Sequence, residues 1–293
     1  MELRHLRYFV AVAEELHFGR AAEKLHIAQP PLSQQIQQLE REMGVRLFHR
    51  ANRRVTLTAA GQVFLDDIRR SIAGIEQAVQ AARRADRGEV GTLAVGFVAS
   101  ATYDILPALL SQFRARFPEV ALSLYELNAA EQAQALADRR IHVGLARPSI
   151  EDTGLAVETV LREPFLAALP EAHPLAARES LRLAELSAEP FILFPADPKP
   201  SYADAVRAVC ARAGFSPRVA QEAREMQTAL SLIAAGLGVT LVPASTRNLH
   251  RRGLVYRPLH DADAMTELTV AYRRDDLSPV LPRFLEIVRE FRL

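Results

Sequence analysis

The sequence predicts an α/β chain that opens on a winged helix-turn-helix, continues through one long helix and ends in two α/β lobes with a cleft between them. Three observations predict it. Two consecutive prolines, Pro30 and Pro31, interrupt a strong helical pattern and are followed by a short arginine-rich alternation. A heptad stripe then runs through about 30 residues. From Gly91 onward, apolar strands alternate with amphipathic helices.

Proline breaks a helix interior but is tolerated in the first turn, where amide donors have no helical partner anyway. In "RAAEKLHIAQPPLSQQIQQLE" the prolines therefore mark a fresh start. One helix runs from about Gly19 to Leu25, "HIAQ" links, and a second begins at Pro30, which is the outline of a helix-turn-helix. In the second helix Leu32, Ile36, Leu39 and Met43 form one apolar stripe. At about 100° per residue, Pro30, Ser33, Gln34, Gln37 and Arg41 fall opposite it. Gln offers a donor and an acceptor together to a base edge in the major groove, and Ser serves either role. Taken alone, this face reads equally well as a solvated polar surface.

The flank decides between them. From Arg41 to Arg54 five arginines and His49 stand against one acid, Glu42, and "RLFHRANRRVTLT" alternates toward a hairpin turning near Ala51 and Asn52. Arg50, Arg53 and Arg54 on such a wing would meet phosphates, which position a reader helix without specifying sequence.

Thr58 is placed to cap the next helix, which runs to Gly88, about 45 Å at 1.5 Å per residue. Leu65, Ile68, Ile72, Ile75, Val79 and Ala82 are spaced as a heptad seam, and so narrow a stripe on so long a helix predicts a partner helix from a second chain. Packing back onto its own domain accounts for the first half only. Arg83, Arg84 and Arg87 suit the negative end of the helix dipole.

Beyond Gly91, "TLAVGFVAS", "VALSLYEL" and "IHVGLAR" read as strands between the helices "YDILPALLSQFRARF" and "AEQAQALADR". A second set follows from "PFLAALP" to "VTLVPAS", and the chain closes with "LTVAYRR" and the helix "PVLPRFLEIVREF". Such alternation predicts mainly parallel sheets covered on both faces. Ligands in these folds sit beyond the carboxyl ends of strands, often at helix N-termini.

At 293 residues the chain exceeds one comfortable core, and its 49% hydrophobic and 24% charged content is ordinary for a globular protein. Residues 1–87 carry 14 Lys and Arg against 10 Asp and Glu, a balance of +4, while the remainder carries 22 against 25. No signal peptide or membrane span is visible, so a cytoplasmic location without membrane partners is expected. Cys210, the single cysteine, excludes an intrachain disulfide and sits in "DAVRAVCARAGF" as a buried thiol.

The opening fifty residues, with "VTLTAAGQVFL", resemble the winged helix-turn-helix of the LysR-type transcriptional regulators, and the resemblance continues through "GTLAVGFVASATYDILP", "HVGLARP", "HPLA" and "AAGLGVTLVPAS". Its nearest likenesses are regulators of aromatic-acid catabolism and of acetoin synthesis. It implies a DNA-binding domain over 1–58, a dimerising linker helix over 59–88, and a periplasmic-binding-protein-like effector domain over 89–293. Lobe I would take about 91–161 and 268–293, lobe II about 162–267. The implied partners are double-stranded promoter DNA, a second copy in a dimer of dimers (a tetramer), a small-molecule inducer and RNA polymerase, as for an activator. DNA contacts fall on Gln29, Pro30, Ser33, Gln34, Gln37, Arg50, Arg53 and Arg54. Family members often carry Ser or Thr where Ala28 stands and Arg where Gln34 stands, so the contacted base differs.

For the effector, Ser100 follows the leading strand and precedes a helix, so its hydroxyl and nearby amides suit a carboxylate, although it reads equally as a cap. The resemblance adds Asn128, Ala129, Arg147, Ser201 and Tyr202. Ala129 stands where muconate sensors carry a gripping threonine, which removes one donor. No cofactor or metal is expected. An enzyme would need an activated nucleophile, an acid/base pair or metal ligands, and no such constellation is present: the histidines are scattered, and Gly236–Val239 lacks the full dinucleotide fingerprint. Two other readings remain, a repressor answering an aromatic or non-acid metabolite and an exported solute-binding protein; the basic amino-terminal domain opposes the second.

Overall fold

The computed structural model describes residues 1–51, 54–150 and 153–291. It divides into two compact units, Met1–Arg83 and Arg84–Leu293. No helix among the described residues is long and apolar enough to cross a membrane.

The first unit opens with α1 (Leu3–Glu15), α2 (Phe18–Lys24) and α3 (Gln29–Met43). Ala28 is extended at the start of α3, so Pro30 and Pro31 occupy the first turn, where their missing amides leave no bond unmade. The helix begins one residue before the expected Pro30. Gly44 ends it at φ +69°, a left-handed conformation suited to glycine. Leu32, Ile36 and Leu39 are fully buried with Phe9, Val12 and Leu47, and Met43 packs at the edge of this core. A hairpin of β1 (Phe48–Ala51) and β2 (Arg54–Leu57) follows, pairing Phe48 with Leu57 and Ala51 with Arg54. Phe48 brings the hairpin onto the helices, its ring 5.3 Å from Phe9 and 6.1 Å from Phe18.

The helix α4 (Ala59–Asp86) starts as its sequence demands. The Thr58 hydroxyl accepts the Gly61 amide at 2.9 Å and donates to the Arg46 carbonyl at 2.7 Å. Gly61 sits so close to the hairpin base that a Cβ there would lie 2.1 Å from the Leu47 carbonyl oxygen.

The second unit is built from β3 (Gly91–Phe97), α5 (Ile105–Arg116), β4 (Val120–Glu126), α6 (Ala129–Ala137), β5 (Val143–Ala146) and β6 (Leu155–Pro170). Then come β7 (Pro190–Leu193), α7 (Tyr202–Arg212), β8 (Arg218–Glu222), α8 (Met226–Ala234), β9 (Thr240–Pro243), β10 (Leu254–Pro258), β11 (Met265–Arg273) and α9 (Val280–Glu290). The main sheet runs β10-β6-β11-β5-β3-β4, with β9 also on β6, and β7 pairs β8 separately.

The expectation of mainly parallel sheets is corrected. β3 pairs in parallel with β4 and β5, and β7 with β8, but β11 is antiparallel to β5 and β6, and β9 and β10 are antiparallel to β6. An apolar strand reads the same whichever way its neighbour runs, so the pattern did not register the returning strands. The 16-residue β6 also exceeds the expected "PFLAALP". Its first part pairs with β11 and its last part with β9 and β10, so one strand passes from lobe I into lobe II.

Lobe I packs Leu93, Val95, Leu109, Phe113, Val143 and Phe284 between α5, α9 and the sheet. Lobe II packs Phe165, Phe191, Val206 and Cys210 on one side and Leu166, Ile192, Leu230 and Val242 on the other. Burial pushes the Cys210 thiol up to about 12, which keeps it an unreactive core group.

Candidate functional site

Two surfaces gather the residues singled out in the sequence, one in each unit. On α3, Gln29, Pro30, Gln34, Gln37 and Arg41 are exposed and Ser33 is half-buried, as the stripe opposite them requires. Arg54 is exposed on β2; Asn52 and Arg53 lie outside the described residues. Arg50 is not a free cation. Its guanidinium donates to Glu40 at 3.2 Å and lies 4.9 Å over the Phe18 ring. Glu40 in turn accepts the Leu47 and Phe48 amides at 2.9 and 3.1 Å, so this cluster clasps the hairpin to α2 and α3. Ten residues separate Arg50 from Glu40, which is why no local pattern revealed the pair.

Along α4 the heptad stripe divides. Leu65 and Ile68 are buried in the first unit's own core, Ile72 is half-buried, and Ile75 and Val79 are 42% and 45% exposed.

In the second unit a cavity of about 820 Å³ opens between the lobes, and all six expected effector residues line it. Ser100 lies in a five-residue 3-10 turn, Ala99–Tyr103, capped by Val98, and α5 starts only at Ile105. The helix expected after Ser100 therefore begins only beyond this turn, and Ser100 itself belongs to the turn. Asn128 caps α6 in a reciprocal box, accepting the Glu131 amide at 2.9 Å while Glu131 accepts the Asn128 amide at 2.9 Å. Ala129 is buried in the first turn of α6.

Arg147 follows β5 and is 4% exposed. It donates to Glu163 on β6 at 2.6 Å and to the Thr266 hydroxyl on β11 at 3.1 Å, and its buried Nε has no partner among the described residues. Glu163 also accepts the Ser245 amide and hydroxyl at 2.5 and 3.1 Å, so Arg147 is charge-matched from beneath. From lobe II, Ser201 caps α7, donating to the Pro195 carbonyl at 2.5 Å and accepting the Ala203 amide at 3.2 Å. The Tyr202 hydroxyl donates to the Leu241 carbonyl at 3.3 Å, and burial raises its pKa above the usual phenol value.

The lining also holds residues that sequence reasoning missed: Glu126, Glu131, Phe194, Asp197, Arg224 and Glu225. Glu126 ends β4, and Arg224 with Glu225 directly precede α8. The strand-end and helix-start rule that selected Ser100 therefore also selects these positions. The arrangement is a polar, hydrogen-bonded cleft suited to holding a small molecule. Among the described residues no group of three or more His, Cys, Asp or Glu side chains could hold a metal ion.

Comparison with known proteins supplies the biological frame. Residues 3–62 match the model of the bacterial regulatory helix-turn-helix protein, lysR family, and residues 86–292 that of the LysR substrate binding domain. The HTH-type transcriptional regulator AlsR of Bacillus subtilis (strain 168) is 43% identical, the match covering 98% of this chain and 95% of the relative. Full-length CbnR complexed with its target DNA is 33% identical, with a TM-score of 0.84 over the whole of both chains (100% of each). The BenM effector binding domain with its effector benzoate is 32% identical, with a TM-score of 0.63, covering 68% of this chain and 91% of that one.

Proposed function

This chain belongs to the LysR family, DNA-binding transcriptional regulators that carry an effector-binding domain and are not enzymes, and on that premise we propose how its own residues divide the work. Residues 1–58 read an inverted-repeat promoter site in the cytoplasm. Ser33, Gln34 and Gln37, with Gln29 and Pro30 at the helix start, meet base edges, and Arg53 and Arg54 meet phosphates. Arg50 serves chiefly to hold the wing in place, since Glu40 and Phe18 already occupy its guanidinium.

Residues 59–88 join two chains along the α4 stripe, and two such pairs assemble on promoter DNA, where they meet RNA polymerase. Ile75 and Val79 support this, because both are large apolar side chains left exposed among the described residues. Residues 89–293 bind a small organic acid between lobe I (about 91–161 and 268–293) and lobe II (about 162–267). One observation carries that assignment: Ser100, Asn128, Ala129, Arg147, Ser201 and Tyr202, from both lobes, line a single cavity. A carboxylate suits it because Ser100 and Arg147, a hydroxyl donor and a guanidinium, are both among its lining residues. A ligand touching both lobes favours their closed arrangement by its differential affinity for it.

A thermal-shift screen with benzoate, 4-methylbenzoate and hexanoate tests this, since a ligand binding only the folded state raises its apparent stability. An acid that raises Tm in the wild type raises it less in Ser100→Ala/Tyr202→Ala, while promoter binding of that double variant is retained. Equal shifts in both proteins, or no shift with any acid, overturn the assignment.

A further inference from the structure

The cleft's charge does not fit a ligand that is only an anion. Four carboxylates, Glu126, Glu131, Asp197 and Glu225, share its lining with two arginines. Arg147 is already matched by Glu163, and Glu131 is held by the Asn128 amide. Neither Glu126 nor Glu225 has an ion-pair partner among the described residues. They belong to opposite walls, Glu126 at the end of β4 in lobe I and Glu225 just before α8 in lobe II.

Both lie within electrostatic reach of the Tyr103 hydroxyl. After burial itself, Glu126 and then Glu225 help push that phenol up to about 12, so it stays protonated. The hydroxyl is buried without a hydrogen-bond partner among the described residues. Tyr103 packs against the lobe II cluster that includes Met226, a residue of the cavity lining, and lies behind that lining rather than in it. Two carboxylates without ion-pair partners among the described residues thus line one cavity, one from each lobe. Closing it around an apolar or purely anionic ligand sets like charges against each other as water is withdrawn.

We propose that the effector carries an organic ammonium group in addition to its carboxylate, and that Glu126 and Glu225 receive this ammonium from the two lobes. An ammonium has three N–H donors and no acceptor, which matches two carboxylates. A metal ion is a poorer match, since no third ligating side chain stands with the pair among the described residues. The carboxylate of the same molecule occupies the part of the cavity lined by Ser100 and Arg147. This deepens the organic-acid reading of the cleft and rests on it.

Calorimetric titration of the full-length protein with matched pairs tests the proposal: 4-(aminomethyl)benzoate against 4-methylbenzoate, and 6-aminohexanoate against hexanoate. The expected result is that at least one amino compound binds about tenfold tighter than its partner, the size two partly desolvated ion pairs supply together. Glu126→Gln/Glu225→Gln loses that preference and binds the simple acids more tightly than the wild type does; each single substitution loses part of it. Glu225 makes no side-chain cap bond to α8, so the amide is tolerated there. A preference that persists in the double glutamine variant overturns the proposal. If the simple acids bind through Ser100 and Tyr202 as tightly as their amino partners, the ammonium site falls and the acid site stands. If no compound binds, both fall.

Discussion

Replacing Arg147 with Met isolates the buried charge at the lobe junction. Arg147 and Glu163 are 4% and 6% exposed and meet at 2.6 Å. Glu163 keeps two other donors, the Ser245 amide and hydroxyl, at 2.5 and 3.1 Å. Arg147→Met therefore strands a carboxylate that is hydrogen-bonded but has no countercharge, a situation that costs about 3–5 kcal/mol. Glu163→Leu strands the guanidinium instead and also orphans the Ser245 amide, at a similar cost. The double variant Arg147→Met/Glu163→Leu removes both charges and roughly preserves volume; the groups it leaves without these partners, the Ser245 amide and hydroxyl and the Thr266 hydroxyl, are left so by one or other single variant already, and the buried amide is worth about 1–3 kcal/mol. The two single losses should thus exceed the double by at least about 3 kcal/mol. Urea denaturation followed by tyrosine emission reads this out cleanly. The chain has no tryptophan, and of its 6 tyrosines all but Tyr8 lie in the second unit. Additive single effects, or an Arg147→Met loss below about 1 kcal/mol, would refute the claim that the pair is a buried and mutually dependent unit.

Three further outcomes follow from the same coordinates. Gln34→Ala should weaken binding to the cognate site by about 1–3 kcal/mol while sparing nonspecific duplexes, whereas Arg54→Ala should weaken all duplexes and flatten the salt dependence; anisotropy titrations on two sequences separate them. Ile75→Glu places a charge on the exposed part of the α4 stripe and should shift the full-length chain toward monomer in sedimentation experiments; an unchanged association constant would mean the stripe is not the interface. The third outcome concerns alkali. Tyr103 and Tyr256 are pushed up to about 12 by burial and Tyr202 is raised further. The folded state therefore holds these protons more tightly than the unfolded chain. That contribution is complete below about pH 10 and is lost as pH rises through the folded values. Phenolate absorbance at pH 11 should show the three still protonated until the second unit unfolds, and their full ionisation in the folded protein would contradict the burial assigned to them.

Local chemistry made much of this molecule legible from its residues. Two prolines can only begin a helix, so α3 and the face carrying Gln34 and Gln37 followed from Pro30 and Pro31. Thr58, with the heptad behind it, located α4, and the division of its stripe between Ile68 and Ile75 is the difference between a seam filled from within and one left bare. The effector residues of both lobes came from strand ends and from the family resemblance together. What stayed hidden depends on partners far along the chain. The direction of β11 and the continuity of β6 leave no trace in an apolar run. Glu163 and Ser245, 82 residues apart, meet only after folding. Nor does any spacing reveal that Glu126 and Glu225 line one cavity.

The unbroken course of β6 has a consequence for how this protein tolerates change. Alternate residues of its second half serve different cores: Phe165, Ala167 and Leu169 face one cluster of lobe II, Leu166 and Ala168 the other. Adding or removing one residue near Arg162 would rotate everything downstream by half a turn. The bulky phenylalanine would be driven into the space fitted to Leu166, and Glu163 would turn away from Arg147. The register with β11 already shifts by one residue at Val160, so the phase of the second half is the one set downstream of that irregularity. A single-residue insertion or deletion is therefore better borne in the loops that flank β6 than downstream of Val160.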